Sequence, residues 1–249
     1  MNTEKGGLFV VATPIGNLAD ISARALETLG MVDYILAENP NLTKKLLSHY
    51  SIHTQLKSYR EDNHERMAPA IIEDLKNGKK LALVTDAGTP LVSDPGIKLL
   101  REVYANKIAV EPIPGASAVT AAISVFPVPS SKFIFMGFFP RKPQEFTKWF
   151  EQTNDFILKE KVSYVFFESP FRITSTLEFL AKMSKEMSEE SEKGYKLMVG
   201  LAGELTKIHQ KIMWASPEEL LTTKDSGFIL DKGEYTIIIS FIKQQWNDQ

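Results

Sequence analysis

The first half of the chain alternates short apolar runs with longer stretches in which apolar residues recur every three or four positions. Continuous runs at Leu8–Thr13, Val32–Ala37, Leu81–Thr85 and Ile108–Pro112, and a weaker one at Thr54–Ser58, predict strands. Helical spacing between them predicts a helix capped by Asp20, carrying Ile21, Ala25, Leu26 and Leu29 and ending at Gly30. Others are expected over Leu42–Tyr50, over Glu65–Asn77 with a stop at Gly78, from Asp94-Pro95-Gly96 to Asn106, and over Gly115–Ser124. Strands that alternate with helices imply βαβ units and a mostly parallel sheet, so the expected fold class is α/β.

The segment Phe126-Pro127-Val128-Pro129-Ser130-Ser131 reads as a stiff linker. It separates an N-terminal domain over 1–127 from a C-terminal domain over 132–249. Beyond it, strands are expected at Phe133–Gly137, Val162–Phe167, Lys196–Leu201 and Glu234–Ile242. Helices are expected at Gln144–Glu160, at Phe171–Lys182 and, briefly, from Pro217. Met183–Lys193, rich in Ser, Glu and Lys, reads as a solvated loop or helix end.

Composition narrows the chemistry. The 249 residues include 29 Lys+Arg, 31 Asp+Glu and no cysteine. Without cysteine there are no disulfides, thiolate metal sites or cysteine nucleophile, which fits a reducing compartment. Charge is spread evenly: 13 basic and 14 acidic residues up to position 129, then 16 and 17. That excludes a global basic footprint for nucleic acid and leaves room for a local patch. No run approaches the roughly 18 apolar residues of a membrane helix. The run after Met1–Lys5 is too short for a signal peptide and stops at Pro14. A soluble, cytoplasmic protein with no membrane partner is expected. Of the four histidines, His49 and His53 share helical spacing at a helix end, which reads as a surface feature; no metal is expected.

Ligands of open parallel sheets bind beyond the carboxyl ends of the strands. The segments there are Thr13-Pro14-Ile15-Gly16-Asn17, Ala37-Glu38-Asn39-Pro40, Asp86-Ala87-Gly88-Thr89-Pro90, Pro114-Gly115-Ala116-Ser117-Ala118 and Phe167-Glu168-Ser169-Pro170. In any one of them glycine and proline do no more than make a turn. Together they describe a shape that holds a bulky, mostly neutral ligand by backbone contacts. A phosphate-binding P-loop, the G-x-G-x-x-G fingerprint, H-E-x-x-H and G-x-S-x-G are all missing.

These loops carry a resemblance. Val11–Leu18, Ala82–Gly96 and Pro112–Ala118 resemble the tetrapyrrole (corrin/porphyrin) methylase superfamily of S-adenosylmethionine-dependent methyltransferases. So do Gly137–Lys142, Phe167–Arg172, Glu204–Lys207 and Lys232–Glu234, in order along nearly the whole chain. Within it the chain looks most like the 16S ribosomal RNA ribose 2′-O-methyltransferases. The resemblance implies two α/β domains with S-adenosylmethionine in the cleft between them, and a homodimer. It implies cofactor contacts at Pro14, Asp86, Ala87, Gly88, Thr89, Val92, Ser117, Ala118, Glu168 and Gly233. A ribose hydroxyl is poorly acidic, so transfer to it is helped by a nearby base or charge, for which Glu38, Glu168, Glu204 and Lys207 are the candidates at loop positions. Asn41, Arg141, Lys142 and Arg172 are the candidates for binding substrate.

Two stretches depart from the family pattern. Glu38-Asn39-Pro40-Asn41 stands where the RNA enzymes usually read Glu-Asp-Thr-Arg. Gly203-Glu204-Leu205-Thr206-Lys207 stands where they usually read Arg-Glu-Leu-Thr-Lys. Each removes an arginine, the natural bidentate ligand of phosphate. The expected activity is methyl transfer to small-subunit ribosomal RNA. The alternatives are methylation of a tetrapyrrole or other small molecule, and a non-catalytic cofactor-binding paralogue.

Overall fold

The computed structural model describes residues 6–128, 131–190, 194–223, 229 and 232–243. Pro129 and Ser130 of the expected linker, and Ser191, Glu192 and Lys193 of the expected solvated stretch, lie outside the described residues. The chain divides into two compact units, Met1–Ser117 and Ala118–Gln249, so the division falls ahead of the proline-rich segment.

In the first unit the apolar runs become the strands β1 (Gly7–Val11), β2 (Tyr34–Ala37), β3 (Leu56–Ser58), β4 (Lys80–Val84) and β5 (Ala109–Ile113). They form a parallel sheet in the order β3-β2-β4-β1-β5. Helices α1 (Ala23–Met31) and α2 (Pro40–His49) pack Ala25, Leu29 and Leu47 on one face, against Val11, Ile35 and Val84. Helices α3 (His64–Lys76) and α4 (Ile97–Ala105) pack Ile71, Leu75, Leu99 and Val103 on the other, against Leu8, Leu36 and Leu83. Burial on both faces is why the runs of the three central strands β2, β4 and β1 are continuous rather than alternating; the edge strands β3 and β5 are half-buried or exposed along most of their length. The cap of α1 is Ser22, whose hydroxyl accepts the Ala25 N–H at 3.1 Å; Asp20 closes a separate helical turn over Leu18–Asp20.

The second unit contains α5 (Ala118–Ile123), β6 (Phe133–Phe138), α6 (Gln144–Glu160), β7 (Ser163–Glu168) and α7 (Ile173–Glu190). They are followed by β8 (Tyr195–Gly203), β9 (Lys211–Ala215), α8 (Pro217–Thr222) and β10 (Tyr235–Lys243). The strand order is β6-β7-β10-β8-β9, and only the β6–β7 pair is parallel. The mostly parallel sheet expected from the first half of the chain is thus the sheet of the first unit, and the second unit's sheet is mostly antiparallel. There the chain returns from β8 to β9 by a tight loop rather than a helix. Of the two readings of the stretch after Lys182, a loop or a helix end, the structure takes the helix end: α7 runs to Glu190, its buried stripe of Ile173, Leu177, Leu180 and Met183 continued by the partly buried Met187. Among the described residues no helix is long and apolar enough to cross a membrane.

Candidate functional site

All five strands of the first unit run the same way, so the segments that follow them share one edge. Three of those segments are tied by hydrogen bonds. The Thr13 N–H donates to the Gly88 carbonyl at 2.9 Å, and the Gly88 N–H donates to the Thr13 carbonyl at 3.0 Å. The Thr13 hydroxyl donates to the Thr85 carbonyl at 3.2 Å, and the Thr89 hydroxyl to the Ala116 carbonyl at 3.3 Å. Small residues permit this closeness. A Cβ on Gly115 would lie 3.0 Å from the Cβ of Ala12, and one on Gly88 would lie 3.3 Å from Cγ2 of Ile15. The backbone after β4 is also strained: Leu91 and Ser93 have φ of 74° and 68°, while Gly88 takes a φ of 80° that glycine adopts freely. Left-handed backbone costs a non-glycine residue about 1–2 kcal/mol, and such strain gathers at functional sites.

Glu38 and Asp86 follow the neighbouring strands β2 and β4. The Glu38 carboxylate accepts the backbone N–H of Asp86, and the Asp86 carboxylate accepts that of Asn39. Burial pushes both carboxyls above their ordinary values. The Asp86 charge raises Glu38 further, partly offset by the hydrogen bond and by the Arg60 guanidinium. Asn39 caps α2, its side-chain oxygen accepting the Asn41 N–H at 3.2 Å and the Leu42 N–H at 3.4 Å. Pro40 takes the first helical position, where no N–H is needed. Asn41 is exposed in that first turn, and Pro14, Ala87, Thr89 and Val92 are half-buried on the same edge. Ser117 ends the first unit and Ala118 opens the second.

In the second unit Glu168, Tyr235 and Gly203 stand opposite one another across β7, β10 and β8. The segments at these strand ends therefore share an edge, with the end of β6 and the start of β9. Glu168 is only 2% exposed. Its carboxylate accepts the Ser169 N–H at 2.8 Å and the Thr176 hydroxyl at 2.8 Å, and pairs with the Arg172 guanidinium at 3.2 Å. Arg172 also donates to the carbonyls of Phe139 and Pro140 at 2.8 and 2.9 Å. Both side chains are thus engaged in fixing the β6–α6 and β7–α7 loops. Arg141 and Lys142 are exposed in the first of these.

Glu204 accepts the Lys207 ammonium at 2.8 Å and the Glu234 N–H at 2.9 Å through one carboxylate oxygen. Lys207 also donates to the Glu234 carboxylate at 3.1 Å. Burial pulls the Lys207 ammonium down, but the two carboxylates outweigh it and hold its pKa above the usual lysine value. Gly233, with φ of 110°, lies so close to Glu204 that a Cβ would overlap the carboxyl group. The position of the missing arginine, Gly203, is filled from across the sheet: a Cβ there would lie 2.6 Å from Cε1 of the buried Tyr235.

The sequence-derived residues therefore gather at one edge of each sheet. Arg60, Glu234 and Tyr235 escape sequence reasoning. Arg60 follows β3, the edge strand next to β2, and Tyr235 pairs with Gly203 through β-sheet register, so neither proximity leaves a local spacing signal. Glu234 was legible only as the residue after Gly233.

A family model described as Tetrapyrrole (Corrin/Porphyrin) Methylases matches residues 7–220. The Thermotoga maritima protein named ribosomal RNA small subunit methyltransferase I is 40% identical over 235 residues, 94% of this chain and 98% of that protein. The protein of the same name from Halalkalibacterium halodurans is 38% identical over 236 residues, 95% of this chain and 76% of its own length. Among solved structures, a cobalt precorrin-4 methyltransferase aligns with a TM-score of 0.63 at 16% identity, covering 94% of each chain. A diphthine synthase aligns with a TM-score of 0.66 at 14% identity, covering 93% of this chain and 89% of its own. At such identities these structures speak for the fold.

Proposed function

Because the chain belongs to the tetrapyrrole (corrin/porphyrin) methylase family and is a methyltransferase, we propose that it moves the methyl group of S-adenosylmethionine to a ribose 2′-hydroxyl of small-subunit ribosomal RNA. The observation that carries this reading is the 40% identity to a ribosomal RNA methyltransferase over nearly the whole of both chains. Such activity belongs with ribosomal subunits, in the cytoplasm.

The residues present suit the cofactor. Pro14, Ala87, Gly88, Thr89, Val92, Ser117 and Ala118 offer small side chains and backbone groups rather than fixed positive charge. The carboxylates of Glu38 and Asp86 favour a sulfonium cation. When bound, S-adenosylmethionine supplies an electrophilic methyl group. The protein's share is to orient the acceptor and take its proton. Glu38 fits the second role, because burial and Asp86 raise its basicity. Lys207 is held as a cation between two carboxylates, which suits charge stabilisation rather than proton abstraction. Glu204 and Gly233 shape its loop. Glu168 and Arg172 hold their loops in place, leaving Arg141 and Lys142 to meet phosphate.

A homodimer is part of the reading. Support comes from β6, an edge strand whose Phe133 and Phe138 are exposed.

The test is transfer of labelled methyl from S-adenosylmethionine to small ribosomal subunits, in parallel with uroporphyrinogen. Label on ribose of the RNA is expected. Label on the tetrapyrrole and none on RNA would overturn the reading.

A further inference from the structure

The edge of the second sheet that holds Glu168, Glu204 and Gly233 also holds the two most exposed large apolar side chains among the described residues. Phe171 is 87% exposed and Ile208 is 98% exposed. Both sit in fixed loops. Phe171 precedes Arg172, whose guanidinium grips two carbonyls of the neighbouring loop. Ile208 follows Lys207, which is bridged to Glu204 and Glu234, and the Thr206 N–H closes the same loop onto the Gln210 side chain at 2.7 Å. Strands β7 and β8 flank β10, so the two tips rise from strands about 10 Å apart.

Their surroundings are basic. Arg141, Lys142, Lys211 and Lys232 stand along this edge against the exposed carboxylates of Glu145 and Glu234, and Glu234 is already bridged to Lys207. This excess of positive charge is local, in a chain of net charge −2. A second copy would present the same positive edge and be repelled. An RNA duplex would satisfy the cations but hides its base faces from an aromatic ring. Unpaired RNA offers both phosphates and base faces, and stacking on an aromatic side chain is tolerant of sequence.

We propose that this edge binds a single-stranded segment of the RNA substrate, with Phe171 stacked on one unpaired base and Ile208 wedged against another. The proposal rests on the RNA reading above and adds the part of the RNA that is read. The full chain is titrated against a short labelled oligouridine, and against a duplex of the same length. Single-strand preference is expected. Phe171→Ala is expected to weaken oligouridine binding roughly tenfold, the range for loss of one stacked base, with no change in salt slope. Ile208→Ala should weaken it by a smaller factor, and Phe171→Trp should retain it. Arg141→Gln should lower the salt slope by about one. S-adenosylmethionine affinity should stay unchanged in all four variants.

Wild-type binding by both alanine variants, equal affinity for duplex, or a change of sedimentation mass in Phe171→Ala would each overturn the proposal; the last would mark a contact between copies. The two readings fail separately. Methyl transfer to ribosomal subunits that is unaffected by both alanine variants defeats the surface assignment alone. Oligouridine binding as expected, with no transfer to any RNA, defeats the functional reading and leaves the surface standing.

Discussion

Glu38 and Asp86 set the pH behaviour of the first unit's edge. Proton abstraction needs the Glu38 carboxylate, so the acid limb of the rate profile reports its ionisation. Burial raises that pKa first, and the Asp86 charge second. Asp86→Asn removes the second contribution, so the acid limb of kcat should move to lower pH. A limb that stays in place would show that Glu38 does not govern it. The stability consequence has the same origin. A carboxyl whose folded pKa lies above its unfolded value contributes stability below the ordinary carboxylate range, and loses it as pH rises through the folded pKa. Asp86→Asn should therefore lose less stability than wild type on going from mildly acid to neutral pH, as read by urea unfolding. Gly203 poses a different constraint. Restoring the family's arginine would add a phosphate ligand, but the Tyr235 ring occupies that volume, 2.6 Å from where a Cβ would sit. Even Gly203→Ala overpacks a buried site and should cost about 1–3 kcal/mol in urea unfolding.

Elements explain which departures the fold tolerates. Asn39 and Pro40 replace an aspartate and a threonine of the family pattern, yet they make a sound helix start: a side-chain cap followed by proline at the first helical position. An aspartate would cap equally well. It would also add a third carboxylate beside Glu38 and Asp86, so asparagine keeps the cap and spares the charge. Asn39→Ala should cost about 1 kcal/mol of stability, and Asn39→Asp much less, in thermal unfolding. The same scale shows what was legible beforehand. The central strands β2, β4 and β1 were readable because parallel strands buried on both faces leave continuous apolar runs. Strand β9 was not anticipated: Ile212-Met213-Trp214-Ala215 is a continuous apolar run, but it is short, half-buried and at the sheet edge, and its pairing partner β8 is set by register rather than by any local signal. The site was legible as loops and not as contacts. Glu168 and Arg172 read as loop residues, and nothing local marks Thr176 or the carbonyls of Phe139 and Pro140 as their partners.

At the scale of the whole molecule β6 is the surface on which a second copy is expected. It lies at the edge of the second sheet, with Phe133 and Phe138 exposed, Phe138 by 58%. Exposed edges of this kind template pairing with other chains unless the protein blunts them. Here the register breaks between Phe135 and Phe138, and Gly137 adopts a φ of 74°. A bulge of that kind interrupts the ladder and twists the edge away, so strand-to-strand addition by a second copy is disfavoured. Side-chain packing is not. The rings of Phe135 and Phe138 both meet Phe167 edge-on, at 4.9 and 5.8 Å between centroids, and form an aromatic ridge beside the bulge. A dimer built on that ridge would be held by apolar area, so it should survive high salt, unlike RNA binding at the basic loops. Light scattering at micromolar concentration should return twice the 28.0 kDa mass of the chain, at low and high salt alike. The double substitution Phe133→Glu, Phe138→Glu should return the single-chain mass with the fold intact by circular dichroism. A wild-type mass of one chain would rule the dimer out. A dimer that dissociates in salt and ignores the double substitution would move the interface away from β6 to a charged surface.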